Sequence, residues 1–226
     1  ARQCNSLRVE ASTYDSLPQR KEVKMDTLVN SEEEEVTALD HLFFDARTHY
    51  FWQPRPVPKH LLVKIYEAAR MGPTSGNGSP LRAVFLTSTE AKQRLLPALR
   101  PGNVDKTMTA PVTAVLGFDT MFFKHFDRLA PYAKGREETY LADPELAYRA
   151  AFRNGTLQGA YLIIAARALG LDCGPMSGFD HGIVDEAFFS GTAIRSNFLL
   201  NLGYGDSRKL FPRQFRFEFD EVCTIC

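Results

Sequence analysis

The chain has 226 residues, with 27 basic and 27 acidic side chains and 44% apolar residues. These values are typical of a soluble globular protein of one domain or two small ones. Zero net charge and the lack of a stripe of Lys and Arg disfavour nucleic-acid binding. The longest apolar stretch, residues 159–166, is far shorter than the ~20 residues of a membrane span. Four cysteines and no signal-peptide pattern favour the cytoplasm.

Residues 1–36 differ in composition from the rest of the chain. They carry 8 acidic and 5 basic side chains and end near four consecutive glutamates at 32–35. Such a segment buries too little apolar area to offset its ordering entropy. We therefore predict an acidic tail, disordered or loosely docked, and one folded domain at residues 37–226. The remaining 22 basic and 19 acidic side chains leave that domain with a net charge of +3, which suits an anionic ligand.

Hydrophobic periodicity predicts helices and strands in mixed order, and hence an α+β fold. The predicted helices lie at residues 36–47, 58–71, 90–99, 144–170 and 184–189. The predicted strands lie at residues 82–88, 112–118 and 197–202. The helix at 90–99 joins two strands, which suggests a crossover. Gly155 and Gly159 each cost about 1 kcal/mol inside the longest helix, so we expect this helix to lie close to another backbone.

Two glycine-rich stretches are candidate binding loops. Residues 72–80 offer hydroxyls, an amide and exposed backbone N–H groups that suit a phosphate or a polar ring. The same residue types also form plain turns. Residues 170–180 follow the longest helix, with Gly170 placed as its C-terminal cap. The alternative for this second stretch is a helix-to-strand connection with a buried Cys173.

Three arginines, Arg47, Arg213 and Arg216, lie near the two ends of the predicted domain. Arginine binds phosphate through a planar fork of donors, although scattered arginines are usually solvated surface. The chain has no G-x-G-x-x-G, P-loop or His-x-x-x-His pattern, which argues against a Rossmann site, an NTPase and a zinc hydrolase. No metal is expected. The Cys-x-x-Cys at residues 223–226 lacks the βαβ context of a redox motif.

Taken in order, several segments resemble the FMN-dependent nitroreductase superfamily over roughly residues 38–225. They are Ala46-Arg47-Thr48-His49, residues 72–80, 101–114, 152–161 and 170–180, Asn201-Leu202-Gly203-Tyr204-Gly205-Asp206 and Phe211-Pro212-Arg213. Cys173-Gly174-Pro175-Met176 and Gly203-Tyr204-Gly205-Asp206 resemble the RutE-type branch of malonic semialdehyde reductases (3-hydroxypropanoate dehydrogenases) of pyrimidine degradation. The resemblance implies a nitroreductase-like fold with a mixed, mainly antiparallel sheet flanked by helices. It also implies an intertwined homodimer with one FMN in each of two clefts between the subunits.

The resemblance further implies roles for individual residues. Arg47 and Arg216 would bind the FMN phosphate with Arg213 as a further cation, and Thr48 and His49 would follow toward the ribityl chain. Asn103 and Lys106 would address the pyrimidine edge of the ring, where a cation stabilises reduced flavin. The residues along the ring would be Pro175, Met176, Ser177 and Gly178, with a backbone N–H of Ser177 or Gly178 donating toward N5. The residues reaching the flavin from the partner subunit would be Pro73, Thr74, Ser75 and Asn77.

Two positions depart from this pattern. Many relatives carry a cation where this chain has Phe51, and a lysine where it has Gln214. Lys106 and Arg213 are the candidates to offset the missing charges.

The implied activity is reduction of malonic semialdehyde to 3-hydroxypropionate. NADH or NADPH would reduce FMN at N5, and the acceptor would then take the hydride in a ping-pong cycle. Arg195 and His181 are candidates for holding the carboxylate and supplying a proton, with surface positions as the alternative for both. A second hypothesis is a nitroaromatic or quinone reductase. A third, of another class, is a dimer that binds flavin without catalysis.

Overall fold

The computed structural model describes residues 38–226, in which helices cover both faces of a four-stranded sheet. The strands are β1 (Leu81–Leu86), β2 (Val112–Asp119), β3 (Asp172–Met176) and β4 (Ile194–Gly203), in the order β1-β2-β4-β3. Every neighbouring pair is antiparallel, and a parallel contribution comes from the isolated bridge between Thr48 and Cys173. The predicted α+β fold with a mainly antiparallel sheet is confirmed. The predicted tail, residues 1–36, lies outside the described residues.

The α-helices of residues 38–226 vary widely in length. They are α1 (Lys59–Ala69), α2 (Thr89–Gln93), α3 (Pro101–Met108), α4 (Phe126–Leu129), α5 (Arg136–Ala142), α6 (Pro144–Ala168), α7 (His181–Phe189) and α8 (Phe219–Val222). A π-helical turn spans Asp40–Phe44, and 3-10 turns span Ser75–Asn77, Leu96–Ala98, Phe122–His125 and Ser207–Lys209. Within this described part of the chain, no helix is both long and apolar enough for a membrane crossing.

The connection between β1 and β2 differs from the prediction. The two strands pair directly and antiparallel, with Leu81 opposite Phe118 and Leu86 opposite Thr113. The predicted crossover was therefore wrong, because antiparallel neighbours need no crossover. The intervening chain forms α2, a 3-10 turn and α3. The sequence analysis missed α3, although Pro101 at its first turn is a typical helix start.

The core lies on both faces of the sheet, and β2 is buried along its whole length. On one face, Leu116 packs in a cluster with α1 and α6. On the other face, Val115 packs in a cluster with α7. Because successive side chains of a strand point to opposite faces, two adjacent residues serve two separate clusters.

The glycines of α6 allow this helix to lie tight against the sheet. A Cβ at Gly155 would lie 2.7 Å from the Cβ of Phe118, and one at Gly159 would lie 2.6 Å from the ring of Phe198. The expected close approach to another backbone is confirmed at Gly155, where Cα of Phe118 in β2 lies 3.7 Å from the same Cβ position, whereas the neighbours of Gly159 are side chains of β4 and β2. This packing fixes the position of the C-terminal end of α6 over the sheet.

The end of α6 forms a Schellman motif, which confirms the predicted cap at Gly170. Gly170 has a φ of +78°, its N–H donates to the carbonyl of Arg167, and the N–H of Leu171 donates to that of Ala166. The chain then enters β3 directly at Asp172. Cys173 is buried, as the alternative for this stretch predicted, and burial raises its pKa to about 12.

Replacing Gly155 by alanine should destabilise the fold despite the better helix propensity. The new Cβ would meet the Cβ of Phe118, which is bonded to the backbone of a buried strand and cannot move aside. Overpacking costs about 1–3 kcal/mol, against a gain of about 1 kcal/mol in helix propensity. We expect the free energy of unfolding, measured by urea denaturation at fixed protein concentration, to fall by up to about 2 kcal/mol. Gly102→Ala, where no atom lies within 4 Å, is the control; a stabilised Gly155→Ala would contradict the packing argument.

Candidate functional site

A cavity of about 770 Å³ lies where the beginning and the end of the described chain meet. We call it the arginine cavity. One wall is formed by the π-helical turn and the residues that follow it to Tyr50, and another by the C-terminal segment after residue 210. The ends of α6 and β3 close it through Arg167 and Pro175. Segments far apart in sequence therefore build a single concave site.

Four arginines line the arginine cavity, and no acidic residue of the described part of the chain does. They are Arg47, Arg167, Arg213 and Arg216. Among residues 38–226, none of the four forms an ion pair. Since backbone carbonyls neutralise no charge, the cavity keeps a positive potential that attracts anions.

Hydrogen bonds through these arginines join the two walls of the cavity. Arg47 donates to the carbonyl of Phe211, and Arg213 donates in the opposite direction to the carbonyls of Phe44 and Ala46. Arg216 donates to carbonyls within its own segment, including that of Phe215 at 2.8 Å. The structure thus brings together the three arginines that the sequence analysis singled out.

Arg167 is a site residue that the sequence analysis missed. Its Nη1 donates to the carbonyl of Leu42 at 2.9 Å, and its own carbonyl lies 2.6 Å from Nε2 of His41. Its Nε is buried without a hydrogen-bond partner among the described residues. In the sequence, Arg167 is visible only as the charge that ends the apolar stretch at 159–166, and its proximity to Arg47 comes from the fold.

A second, open groove of about 390 Å³ adjoins the arginine cavity. We call it the apolar groove. It is lined by Thr156, Ala160, Ile163, Pro175, Met176, Ser177 and Phe198. Pro175 lines both sites, so the cationic and apolar regions meet at this residue. The pair suits an elongated ligand with an anionic group at one end and a flat, largely apolar ring at the other.

Asn103 and Lys106 of α3 lie beside this junction. The side-chain amide of Asn103 donates to the carbonyl of Gly178 at 2.7 Å. The Lys106 ammonium lies 4.3 Å from the ring centroid of Tyr50, which itself lines the arginine cavity. Burial lowers the pKa of Lys106. Helix α3 therefore holds an amide and a partly desolvated cation next to the end of β3.

Thr48 lines the arginine cavity, whereas the side chain of His49 does not. The His49 ring is buried and occupies the space where a Cβ of Gly205 would lie. Its Nε2 lies 3.4 Å from the Asp172 carboxylate. Burial lowers the pKa of His49 more than Asp172 raises it. His49 thus supports the floor beneath the site rather than presenting its ring to a ligand in the cavity.

The loop at residues 73–77 packs on α6 and lines neither site within one described chain. The hydroxyl of Tyr161 donates to the carbonyl of Pro73 at 3.0 Å, and the side chain of Asn154 accepts from the N–H of Ser75 at 2.8 Å. Thr74 accepts from the backbone of Ser79. Asn77, with a positive φ of 53°, donates to the carbonyl of Leu129. The loop is therefore held in one conformation by its own chain.

His181 and Arg195 lie apart from the arginine cavity and the apolar groove in one chain. His181 begins α7, where its Nδ1 lies 2.8 Å from the hydroxyl of Ser196. Its ring is tilted by 51° to that of Phe179, with the centroids 4.4 Å apart. Arg195 is more than half exposed, with Nη1 3.9 Å from the carboxylate of Asp185. The described chain alone does not bring either side chain to the junction at Pro175.

Sequence comparison assigns the family. The model of the nitroreductase family matches residues 45–204, which is most of the chain and includes much of both sites. The chain belongs to the nitroreductase family. A relative from Burkholderia lata is 57% identical over 189 residues, covering 84% of this chain and 96% of its own length. One from Stenotrophomonas maltophilia is 54% identical over 191 residues, covering 84% of this chain and 97% of its own length. Both carry the provisional name NADH dehydrogenase/NAD(P)H nitroreductase.

Solved structures of this family share the fold. A provisionally named nitroreductase of Bacillus subtilis superimposes with a TM-score of 0.73 at 18% identity, covering 84% of this chain and 100% of its own. Another, from Exiguobacterium sibiricum in complex with FMN, gives a TM-score of 0.68 at 18% identity, covering 82% of this chain and 96% of its own. The predicted nitroreductase membership and fold are confirmed. The finer assignment to the RutE-type branch stays a prediction.

Replacing His49 tests its role as a neutral buried group. Because burial holds its folded-state pKa below 6.5, the unfolded chain binds a proton more readily than the folded one. The free energy of unfolding should therefore fall as the pH drops below about 6.5 and level off below the folded-state pKa. His49→Gln should show a shallower decline in denaturation curves recorded between about pH 7.5 and pH 5. His60→Gln, at an exposed position of α1, should keep the wild-type slope; an unchanged slope in His49→Gln would contradict the assignment.

Proposed function

We propose that this protein is a flavoenzyme that binds FMN and uses NADH or NADPH to reduce a small organic acceptor. The observation that carries the proposal is the junction at Pro175 between a cavity lined by four arginines and an apolar groove. A phosphate dianion matches the guanidinium groups, and a flat tricyclic ring matches the groove. The FMN in the Exiguobacterium sibiricum structure and the NAD(P)H in the names of the closely similar relatives support the same chemistry.

The residues present fit FMN in one orientation, with its phosphate in the arginine cavity and its ring along the apolar groove. Arg47, Arg213 and Arg216 would hold the phosphate, with Thr48 beside them. The ring would lie along residues 175–178, with Asn103 and Lys106 at its pyrimidine edge. Bound FMN would supply the hydride-transfer chemistry at N5, while Lys106 would stabilise negative charge on the reduced ring. His49 would act from beneath, through its contact with Asp172.

We further propose that two copies of the chain form an intertwined homodimer and complete each site. The apolar groove is open to solvent, and α6 exposes Tyr148, Phe152 and Leu157 next to it, each at 40% or more of its surface. The C-terminal segment exposes further apolar side chains, namely Phe211, Phe215, Phe217, Phe219, Val222 and Ile225. Apolar surface of this extent typically marks an interface. Pro73, Thr74, Ser75 and Asn77, which do not reach the cavity of their own chain, would then contact the flavin of the partner.

For the acceptor we propose malonic semialdehyde, reduced to 3-hydroxypropionate. Hydride would add to the aldehyde carbon and a proton to its oxygen. The resemblance of Cys173-Gly174-Pro175-Met176 to the RutE-type branch supports this choice, as does the positive charge at the site. Arg195 and His181 remain the proposed carboxylate and proton groups, acting only in a cleft completed by the second subunit. A nitroaromatic or quinone acceptor is the second candidate, favoured by the nitroreductase names of the 57% and 54% identical relatives.

Spectroscopy of the purified protein tests the cofactor and the reaction together. After addition of FMN, the protein should show flavin absorbance that NADH or NADPH bleaches under anaerobic conditions. Malonic semialdehyde should then restore the absorbance. Failure to take up FMN would contradict the flavoenzyme proposal, whereas uptake without bleaching would favour a flavin-binding dimer without catalysis. A kcat/KM for nitrofurazone higher by orders of magnitude than that for malonic semialdehyde would select the second candidate.

A charge on the exposed face of α6 tests the dimer. We expect the wild-type protein to elute, in size-exclusion chromatography with light scattering, at twice the 25.4 kDa chain mass. Leu157→Glu should shift this equilibrium toward the monomer and reduce FMN uptake, because the substitution would bury a carboxylate in an apolar contact. Leu141→Glu, at an exposed position of α5, is the matched control. A monomeric wild-type protein, or a dimer unaffected by Leu157→Glu, would contradict this interface.

A further inference from the structure

We infer that Arg167 is a fourth phosphate-binding residue of the FMN site, supplied by the long helix rather than by the ends of the domain. The inference rests on the proposed function and assigns a role to a residue of this chain that the motifs did not point to.

Arg167 lies between two neighbouring cavities, and Arg47 lines both of them as well. It lies in the last turn of α6, whose end is fixed by the Schellman motif at Gly170. Ala46, Arg47 and Arg167 line both the arginine cavity and a smaller neighbouring cavity of about 240 Å³, which Asp45 and Asp172 also line. The guanidinium of Arg167 therefore stands in the wall beside Arg47, which is the principal candidate for the phosphate.

The hydrogen bonding of Arg167 is incomplete. Arginine carries five N–H donors, and the side-chain hydrogen bond that it makes within residues 38–226 runs from Nη1 to the carbonyl of Leu42. Its Nε is the single buried side-chain nitrogen or oxygen of the described residues without a partner. Because Nε itself is enclosed by protein, an oxyanion in the arginine cavity would contact the Nη2 group, which makes no hydrogen bond to the described residues.

A purely structural role accounts for only part of these observations. Arg167 and His41 do tie the π-helical turn to the end of α6, but a contact with a carbonyl requires no positive charge. Asp45 and Asp172 line the smaller cavity together with Arg47 and Arg167, whereas no carboxylate of the described residues lines the arginine cavity, where these two arginines meet Arg213 and Arg216. A phosphate in the arginine cavity would be the partner for the charge on that side.

Arg167 also accounts for the two departures from the resemblance. Gln214 lines the arginine cavity without a charge. Phe51 does not line it, and instead lies with its ring centroid 5.2 Å from the ammonium of Lys209. Arg167 brings a cation to the same cavity from a different element, so this cavity has four arginines despite the uncharged Phe51 and Gln214.

Comparing FMN with riboflavin, which lacks the phosphate, separates this role from a structural one. We expect Arg167→Gln to raise the Kd for FMN by about tenfold to a hundredfold, as for the loss of a charged hydrogen bond. The Kd for riboflavin should change by less than about twofold. Both values can be measured by quenching of flavin fluorescence. Arg167→Lys, which keeps the charge but not the planar fork, should lie between the wild-type protein and Arg167→Gln.

A second readout uses inorganic phosphate with the flavin-free protein. Phosphate should raise the Tm of the wild-type protein, because a ligand of the folded state stabilises it, and should raise that of Arg167→Gln less. Arg149→Gln is the matched control, since Arg149 lies on the same helix but is exposed and paired with Glu145. This control should behave as the wild type in both assays.

The outcomes distinguish this inference from the proposed function. Wild-type protein that binds neither flavin would overturn both. Wild-type protein that binds FMN, together with an Arg167→Gln variant of unchanged FMN affinity, would overturn the role of Arg167 alone. Equal losses of FMN and riboflavin affinity would show that Arg167 acts only by docking the π-helical turn, which would also overturn the inference. If Arg167→Gln fails to fold, Arg167→Lys takes its place. A ratio of its Kd for FMN to its Kd for riboflavin equal to the wild-type ratio would then overturn the inference.

Discussion

The site depends on one electrostatic constraint: four arginine side chains meet around one cavity, and no carboxylate of the described residues pairs with them. Hydrogen bonds to backbone carbonyls hold the guanidiniums in place but leave their charge in full. Like charges repel one another, and the carboxylates nearby, Asp45 and Asp172, line the smaller neighbouring cavity instead. An anion in the arginine cavity would therefore be stabilised by all four arginines, which links the geometry of the fold to the proposed binding of a phosphate-bearing cofactor.

Helix α6 sets the geometry that makes this arrangement possible. Gly155 and Gly159 let the helix lie directly on the side chains of Phe118 and Phe198, so its course over the sheet has little freedom. The Schellman motif at Gly170 then turns the chain into β3. One rigid unit therefore carries Arg167 at the end of the helix and Pro175 at the junction of the arginine cavity and the apolar groove.

Much of the candidate site could be predicted because local sequence carries its chemistry. Arg47, Arg213 and Arg216 stood out through their resemblance to a known pattern, and the structure places all three in one cavity. Arg167 could not be found in this way, because its proximity to Arg47 depends on how the π-helical turn docks on α6. The direction of the His49 ring was equally hidden, since it follows from the space left at Gly205. The sequence indicated a binding loop that includes residues 73–77. The fold packs this loop on α6, where it does not line the cavity of its own chain.

The sequence by itself determined the fold class, the family and most of the element positions, because hydrophobic periodicity, glycine caps and short motifs are local properties. It also offered a buried Cys173 as one of two interpretations of residues 170–180. Only the tertiary structure decided that β1 and β2 pair antiparallel, that the glycines of α6 serve the sheet, and that a fourth arginine joins the other three. Each of these depends on contacts between residues far apart in the chain, whose free energies no local pattern records.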